Sequence, residues 1–123
     1  MEIRLKRAYD PPSDDDGIRV LTERLWPRGL SKERAQIDRW AKDWAPSSQL
    51  RKWYSHDEEK WSEFQRRYRQ ELELRGEAFE AWVRSIRAHH RVTFVFGSKG
   101  RHVSSVVLRE VVMERLGQDD RGE

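Results

Sequence analysis

RVTFVF, residues 91–96, is the stretch of sequence that decides the fold of this chain. Every side chain from Val92 to Phe96 is apolar or β-branched, which favours a β-strand. Because these residues are consecutive rather than alternating, the run predicts a central strand that is buried on both faces. Gly97-Ser98-Lys99-Gly100 follows at once and predicts a turn at the end of that strand.

Two further strands are predicted nearer the N-terminus. Ile3, Leu5 and Tyr9 alternate with more polar residues, which predicts a half-buried strand that ends before the two prolines at positions 11 and 12. Residues 18–25 predict a second strand. The connection over residues 10–17 is too short to hold a crossover helix, so the residues alone leave open whether the first two strands are antiparallel neighbours.

Helical patterns fill much of the remaining chain. Ser31 is a favourable N-cap, and Ser55 to Glu58 matches a capping box that opens a long helix. Gly76 predicts a break before the next helix, and a last helix is predicted to run to Leu116. The apolar stripes expected on these helices comprise Ile37, Trp40, Ala41 and Trp44; Leu50, Trp53 and Tyr54; Trp61, Phe64, Tyr68 and Leu72; Phe79, Trp82, Val83 and Ile86; and Val103, Val106, Val107, Val111 and Leu116. We therefore expect Trp40, Trp44, Trp61 and Trp82 to be mostly buried.

The pattern predicts a single small α/β domain over residues 1–116 and a polar C-terminal tail over residues 117–123. Its sheet should be short and mainly parallel, with about three core strands flanked by about five helices, because a long helical segment precedes the third strand. The chain has 123 residues, of which 38% are charged, and a mean hydropathy of −1.03. Six Trp, four Phe and three Tyr nevertheless indicate a folded core rather than a disordered chain.

Composition excludes several classes of site. The absence of Cys excludes disulfides and thiolate chemistry, and no apolar run approaches the ~20 residues of a membrane span. The N-terminus lacks the apolar segment of a signal peptide, so we expect a cytoplasmic protein with no membrane partner. The net charge of +3 does not by itself indicate nucleic-acid binding. Adjacent His89 and His90 would point about 100° apart on a helix, so no metal site is predicted there. No cofactor is predicted either.

Two glycine-containing turns predict a binding site for a small anionic or phosphorylated ligand. Trp26-Pro27-Arg28-Gly29 follows the second strand, and residues 97–100 follow the third. If these strands are parallel, both turns face the crevice at the C-terminal edge of the sheet, and each leads into a helix N-terminus that favours anions. The predicted anion-binding residues are Arg24, Arg28, Lys99, Arg101 and His102, and the predicted pocket-shaping residues are Glu23, Trp26, Pro27, Gly29, Gly97 and Gly100.

Other interpretations of the same residues stay open. The glycines could serve only to turn the chain, and Glu23 beside Arg24 could form a buried ion pair, which is favoured over an acid with an adjacent cation. Tryptophans could stack on nucleic-acid bases, although their spacing favours a core. Arg-rich helix faces would suit a nucleic-acid or protein interaction module whose binding weakens with salt, and a scaffold without a ligand is a third possibility. No catalytic residue and no reaction is assigned. The arginines of those faces are Arg66, Arg67, Arg69 and Arg75.

The chain resembles the YeaO-like branch of the domain-of-unknown-function family 488 (DUF488), small bacterial and archaeal proteins. The string Arg24-Leu25-Trp26-Pro27-Arg28-Gly29-Leu30 is its most specific part, and the resemblance extends to about Leu116. The resemblance implies an α/β fold with a parallel sheet. Some members have a methyltransferase label linked to porphyrin synthesis, but this chain has no glycine-rich cofactor loop to support one. The matching segments are residues 6–12, 17–21, 23–32, 40–46 and 50–54, with Phe64 and Tyr68.

Two departures from the family pattern concern the predicted site. Glu23 stands where the family usually has Asp before Arg-Leu-Trp-Pro. The loop after the last strand usually has an acid and then a His-Asn-His-Ala run, whereas here the acid is missing and only His102 matches, followed by Val103, Ser104 and Ser105. If that loop is a catalytic centre in the family, the resemblance implies that this chain has an altered or lost one.

Overall fold

A computed structural model of the chain describes residues 2–121. Within this range four strands form one sheet: β1 (Ile3–Arg7), β2 (Ile18–Leu21), β3 (Arg39–Trp40) and β4 (Val92–Phe96). Their spatial order is β1-β4-β2-β3, and all three pairings are parallel. The predicted α/β fold with a parallel sheet is confirmed, and β3 adds a short edge strand to the three that were expected.

Five α-helices surround this sheet. They are α1 (Lys32–Ala35), α2 (Ser48–Tyr54), α3 (Trp61–Leu74), α4 (Gly76–Arg87) and α5 (Ser104–Arg121), with short 3-10 turns at Asp14–Asp16, Lys42–Trp44 and Glu58–Lys60. Ser31 and Ser47 cap α1 and α2 through their hydroxyl oxygens. Because α5 reaches Arg121, the segment predicted as a polar tail begins inside a helix. The last two residues of that predicted tail lie outside the described range.

β4 is the centre of the domain. All five of its residues are buried, and β1 and β2 pair with it on either side, with Ile3 and Ile18 both opposite Val92. α5 packs on β1 and β4 and also contacts α3 and α4. The core between these elements includes Phe64, Tyr68, Leu72, Phe79, Ile86, Phe94 and Leu108. The prediction of a central strand buried on both faces is confirmed for Val92–Phe96, whereas Arg91 precedes the strand and is exposed.

A polar network holds the short link from β1 to β2. The buried Asp16 carboxylate accepts hydrogen bonds from Lys6 Nζ at 3.1 Å and Arg19 Nη1 at 2.7 Å, and its backbone carbonyl accepts one from the Thr93 hydroxyl at 2.7 Å. Gly17 then adopts a φ of +64°, and the Ile18 amide bonds the Arg91 carbonyl at 3.0 Å. The first two strands each pair in parallel with β4, which lies between them. They are therefore parallel and not adjacent, which settles the question that the sequence left open.

The helix predicted through Ile37, Trp40 and Trp44 is wrong. α1 ends at Ala35, because Gln36 takes a left-handed conformation with a φ of 49°. The chain then pairs with β2: the Asp38 amide donates to the Arg19 carbonyl, and the Asp38 carboxylate accepts from the Arg19 amide, each at 2.8 Å. Sheet pairing thus overrides the local helical pattern. Trp40, which was expected to be buried, is 41% exposed.

Smaller corrections concern element ends. β2 stops at Leu21, four residues before the predicted end. Ser55 is the left-handed C-cap of α2 rather than the start of a capping box, and Asp57 caps the 3-10 turn before α3 instead. Three other tryptophans, Trp44, Trp61 and Trp82, are half-buried and pack against the core.

Candidate functional site

A cavity of about 340 Å³ lies at the C-terminal ends of β2 and β4. Glu23, which follows β2, and Ser98, which follows β4, line one part of it, together with Val103 and Ser104 at the start of α5. This is the edge at which open α/β sheets bind ligands. The volume falls in the lower part of the roughly 300–1,000 Å³ range of small-molecule pockets.

Apolar side chains form much of the cavity wall. Leu25, Pro46, Phe64 and Val103 line it, and the Tyr54 ring stacks on Phe64 with centroids 4.3 Å apart. The Tyr54 hydroxyl donates a hydrogen bond to the His102 carbonyl at 2.8 Å. Burial, with smaller effects from the nearby Glu58 and Asp57 carboxylates, raises the pKa of Tyr54. Tyr54 therefore stays protonated and ties α2 to the loop before α5.

Four basic side chains also line the cavity: Arg24, Arg51, Lys52 and His56. Arg24 Nε donates to the Pro46 carbonyl at 3.3 Å, which places its guanidinium beside the segment that leads into α2. Over the described part of the chain, no carboxylate forms an ion pair with Arg24, Arg51 or Lys52. The cavity thus presents positive charge that the protein itself leaves unpaired.

Glu23 is the acidic side chain at the cavity, and its oxygens are already bound. Oε1 accepts a hydrogen bond from the Gly97 amide at 2.7 Å, and Oε2 accepts from the Ser98 amide at 3.3 Å and from the Ser98 hydroxyl. The Glu23 carboxylate therefore takes up the Gly97 and Ser98 amides of the β4–α5 loop, the loop in which an external anion was predicted to bind. The favoured ion pair between Glu23 and Arg24 does not form: the Glu23 carboxylate is bound by Gly97 and Ser98, and Arg24 Nε donates to the Pro46 carbonyl.

The cavity rim contains strained backbone. Ser55 and His56, both lining residues, have φ values of 44° and 56°. Non-glycine residues reach the left-handed region at a cost of roughly 1–2 kcal/mol each. Hydrogen bonds hold the turn: the Ser55 amide donates to the Arg51 carbonyl at 3.0 Å, and the Asp57 amide donates to the Tyr54 carbonyl at 2.9 Å. The rim turn is therefore fixed in one shape next to the basic residues.

Of the five predicted anion-binding residues, only Arg24 lines the cavity. Arg28, Lys99 and Arg101 are exposed side chains outside its wall, and the Arg28 carbonyl accepts a hydrogen bond from the Tyr9 hydroxyl at 2.9 Å. His102 stacks on Trp61 with centroids 4.6 Å apart, and its Nδ1 contacts the Glu58 carboxylate. The structure thus places these residues around the loop but does not bring them together.

The predicted pocket-shaping residues do bring the two turns together. A Cβ at Gly97 would lie 3.3 Å from the Cβ of the buried Pro27 and 3.5 Å from Glu23 Oε1, so the turns are in contact. Trp26 Nε1 donates to the Leu30 carbonyl at 2.6 Å and closes the first turn. Gly29 and Gly100 have φ values of 77° and 96°, which favour glycine.

Sequence reasoning missed the contribution of α2. Arg51 and Lys52 belong to α2 and Ser55 and His56 follow it, and nothing in the spacing of these residues indicates a site. The one available signal was that residues 50–54 belong to the segments that resemble DUF488. Across the described residues, no group of three or more His, Asp or Glu side chains could hold a metal ion. Over the same range, no helix has the length and apolarity needed to span a bilayer.

Comparison with known proteins establishes the family. The family profile described as "Inactive DUF488-N3 subclade" matches residues 2–123. The chain belongs to the DUF488 family. Uncharacterized protein YeaO of Escherichia coli (strain K12) is 42% identical over 72 residues, which cover 58% of this chain and 63% of that protein. An uncharacterized protein of Mycobacterium tuberculosis (strain ATCC 25618 / H37Rv) is 46% identical over 70 residues, which cover 57% of this chain and 59% of that protein.

The DUF488 relationship confirms the resemblance to the YeaO-like branch. The matched segment spans about three fifths of the length of these curated relatives. No solved structure matches the chain.

Proposed function

We propose that this DUF488 domain binds a small anionic ligand in the cavity at the C-terminal ends of β2 and β4. The observation that supports this proposal is the group of cavity-lining cations, Arg24, Arg51 and Lys52, that have no carboxylate partner among the described residues. A cleft lined by charge of one sign raises the local concentration of oppositely charged molecules. Guanidinium groups are also suited to carboxylate and phosphate.

Binding without a reaction is the function that these contacts favour. Glu23 accepts three hydrogen bonds from Gly97 and Ser98, so it is held as part of the wall. The Tyr54 hydroxyl is engaged with the His102 carbonyl. The description of the subclade as inactive is consistent with a domain that binds a ligand and does not transform it.

The alternative, an interaction module that uses Arg-rich helix faces, has less support. Arg66 and Arg67 both pair with Glu63, and their hydrogen bonds lower the pKa of Glu63 to about 2. Arg69 pairs with Glu110 and Glu114. These guanidinium groups are therefore already engaged with acidic side chains of the same surface.

A charge-matched pair of double variants tests the proposed site. Arg51→Gln/Lys52→Gln removes two cations that line the cavity, whereas Lys99→Gln/Arg101→Gln removes two cations of the β4–α5 loop that do not line it; all four residues are exposed. Amide chemical shifts in an NMR titration with inorganic phosphate give the affinity of each protein. We expect the first variant to bind at least about tenfold more weakly, since one hydrogen bond to a charged group contributes ~1.5–3 kcal/mol, and the second to bind like the wild type.

The opposite ranking of the two variants would contradict the cavity proposal. It would move the site to Lys99 and Arg101, as the sequence alone predicts. The proposed function would be wrong if neither phosphate nor any other small anion bound to the wild-type protein near Arg24 or Tyr54.

A further inference from the structure

We infer that the ligand has one anionic group, an apolar middle and, at the opposite end, a hydrogen-bond donor such as an amine or hydroxyl. This inference rests on the proposed function and specifies the class of molecule that the same cavity accepts. It comes from the different charges on two parts of the cavity lining. The α2 wall comprises Arg24, Arg51, Lys52 and His56, and the loop wall comprises Glu23 and Ser98.

The α2 wall is positive. Arg51 and Lys52 come from α2, and His56 follows it at the strained rim. Arg24 joins this wall, because its Nε donates to the carbonyl of Pro46 just before α2. With no carboxylate of the described chain paired to Arg24, Arg51 or Lys52, this wall is the place for the anionic group of a ligand.

The loop wall rejects a second anionic group. Its amides, from Gly97 and Ser98, would attract an anion, but the Glu23 carboxylate already accepts from both. An incoming phosphate or carboxylate would meet that fixed negative charge instead of free N–H groups. Like charges placed side by side at a binding interface cost several kcal/mol. Ligands with anionic groups at both ends are therefore disfavoured.

The same Glu23 carboxylate can accept one more hydrogen bond. A carboxylate has about four lone-pair sites, and the Gly97 amide, the Ser98 amide and the Ser98 hydroxyl use three of them. A donor on the ligand would complete this set. An ammonium group fits best, because its charge is opposite to that of Glu23 and its hydrogen bonds are charge-assisted.

The cavity lining also includes apolar side chains, which suit an apolar segment of the ligand. Leu25 lines the cavity and is 59% exposed, and Pro46, Phe64 and Val103 line it as well. Covering such side chains removes apolar surface from water, which favours binding. A ligand with an apolar middle therefore gains binding energy that inorganic phosphate cannot.

Three probes built on the same six-carbon chain test this inference. They are 6-aminohexanoate, hexanoate and adipate, which share one carboxylate and differ at the other end: an ammonium, a methyl group or a second carboxylate. We expect 6-aminohexanoate to bind most tightly and adipate most weakly, with about tenfold or more between these two, since the end groups carry opposite charges next to Glu23. NMR titration of the wild-type protein gives the ranking directly.

Glu23→Gln supplies the matched control. The amide keeps the size of the side chain but removes its charge, so the preference for 6-aminohexanoate over adipate should disappear while the affinity for hexanoate stays unchanged. Arg51→Gln/Lys52→Gln should weaken all three probes. Melting temperatures check that the variants fold. If Glu23→Gln does not fold, the ranking of the three probes on the wild-type protein decides the inference by itself.

The outcomes separate the inference from the proposed function. If all three probes bind the wild type equally, or adipate binds most tightly, the inference is overturned and the anion site stands. If neither the probes nor inorganic phosphate perturb residues of the cavity, the proposed function and the inference both fail.

Discussion

Trp40 lies at the surface with three polar or aromatic contacts. Its Nε1 donates to the Glu23 carbonyl at 2.8 Å, its ring packs edge-on against Trp26 with centroids 5.5 Å apart, and Lys42 Nζ lies 4.7 Å from its centroid. Trp82, by contrast, packs against Trp44, Phe79 and Phe94. The two tryptophans therefore contribute to stability through different interactions.

At the residue scale we predict unequal losses from these two tryptophans. Trp82→Ala should lower the free energy of unfolding by about 3–5 kcal/mol, because it leaves a cavity against the core. Trp40→Ala should lower it by about 1–2 kcal/mol, the value of one hydrogen bond and a partly exposed ring contact. Urea unfolding monitored by circular dichroism measures both. Equal losses would contradict the different environments of the two rings.

At the scale of elements, Gly17 sets the start of β2 against β4. Its φ of +64° favours glycine, and a Cβ there would lie 2.1 Å from the Arg91 carbonyl oxygen, closer than real atoms approach. Gly29 also has a positive φ, of 77°, but a Cβ there would meet no atom within 4 Å. The two glycines therefore share the backbone requirement and differ in the contact.

We predict that Gly17→Ala destabilises the protein far more than Gly29→Ala. The second change should cost about 1 kcal/mol from backbone strain alone. Gly17→Ala must also move β2 away from β4, so a loss of at least about 3 kcal/mol is expected, in the range of severe packing defects. Thermal unfolding of both variants tests this. If Gly17→Ala were as mild as Gly29→Ala, the close approach of these strand starts would be wrong.

Elements whose own apolar pattern indicates burial could be predicted from the sequence. Elements that form only by pairing with another part of the chain could not. β4 and α4 are predictable because their apolar patterns match only one kind of structure. β3 is two residues long, and it exists because Asp38 and Ala41 bond to β2. Such pairing leaves no local signal, so the residues around Trp40 read as a helix.

The candidate site shows the same division at the scale of the whole molecule. Its position follows from topology, since parallel β2 and β4 place their C-terminal ends at one edge. Its basic wall comes from α2, whose packing beside that edge depends on distant contacts such as the Tyr54 hydroxyl with the His102 carbonyl. Arg28 and Lys99 were predictable as neighbours of the edge, but their side-chain directions were not.

The acid stability of the whole molecule should depend on Asp16. Burial pushes the pKa of Asp16 upward, but hydrogen bonds from the Ser13 amide, Lys6 and Arg19 outweigh burial and hold the pKa below its ordinary value. Because the folded pKa is lower than the unfolded one, ionised Asp16 stabilises the fold fully above the unfolded pKa of about 3.9. That stabilisation is lost as the pH falls from there through the folded pKa.

Asp16→Asn should therefore lower the free energy of unfolding at neutral pH by about 3–5 kcal/mol, because it leaves the buried Arg19 without its charge partner. It should also flatten the dependence of stability on pH below about 4. Asp15→Asn is the control, since Asp15 and its partner Arg91 are 70% and 57% exposed, and its effect should stay within about 0.5 kcal/mol. Urea unfolding between acid and neutral pH measures both variants. An acid transition that Asp16→Asn leaves unchanged would show that this network does not hold β1, β4 and β2 together.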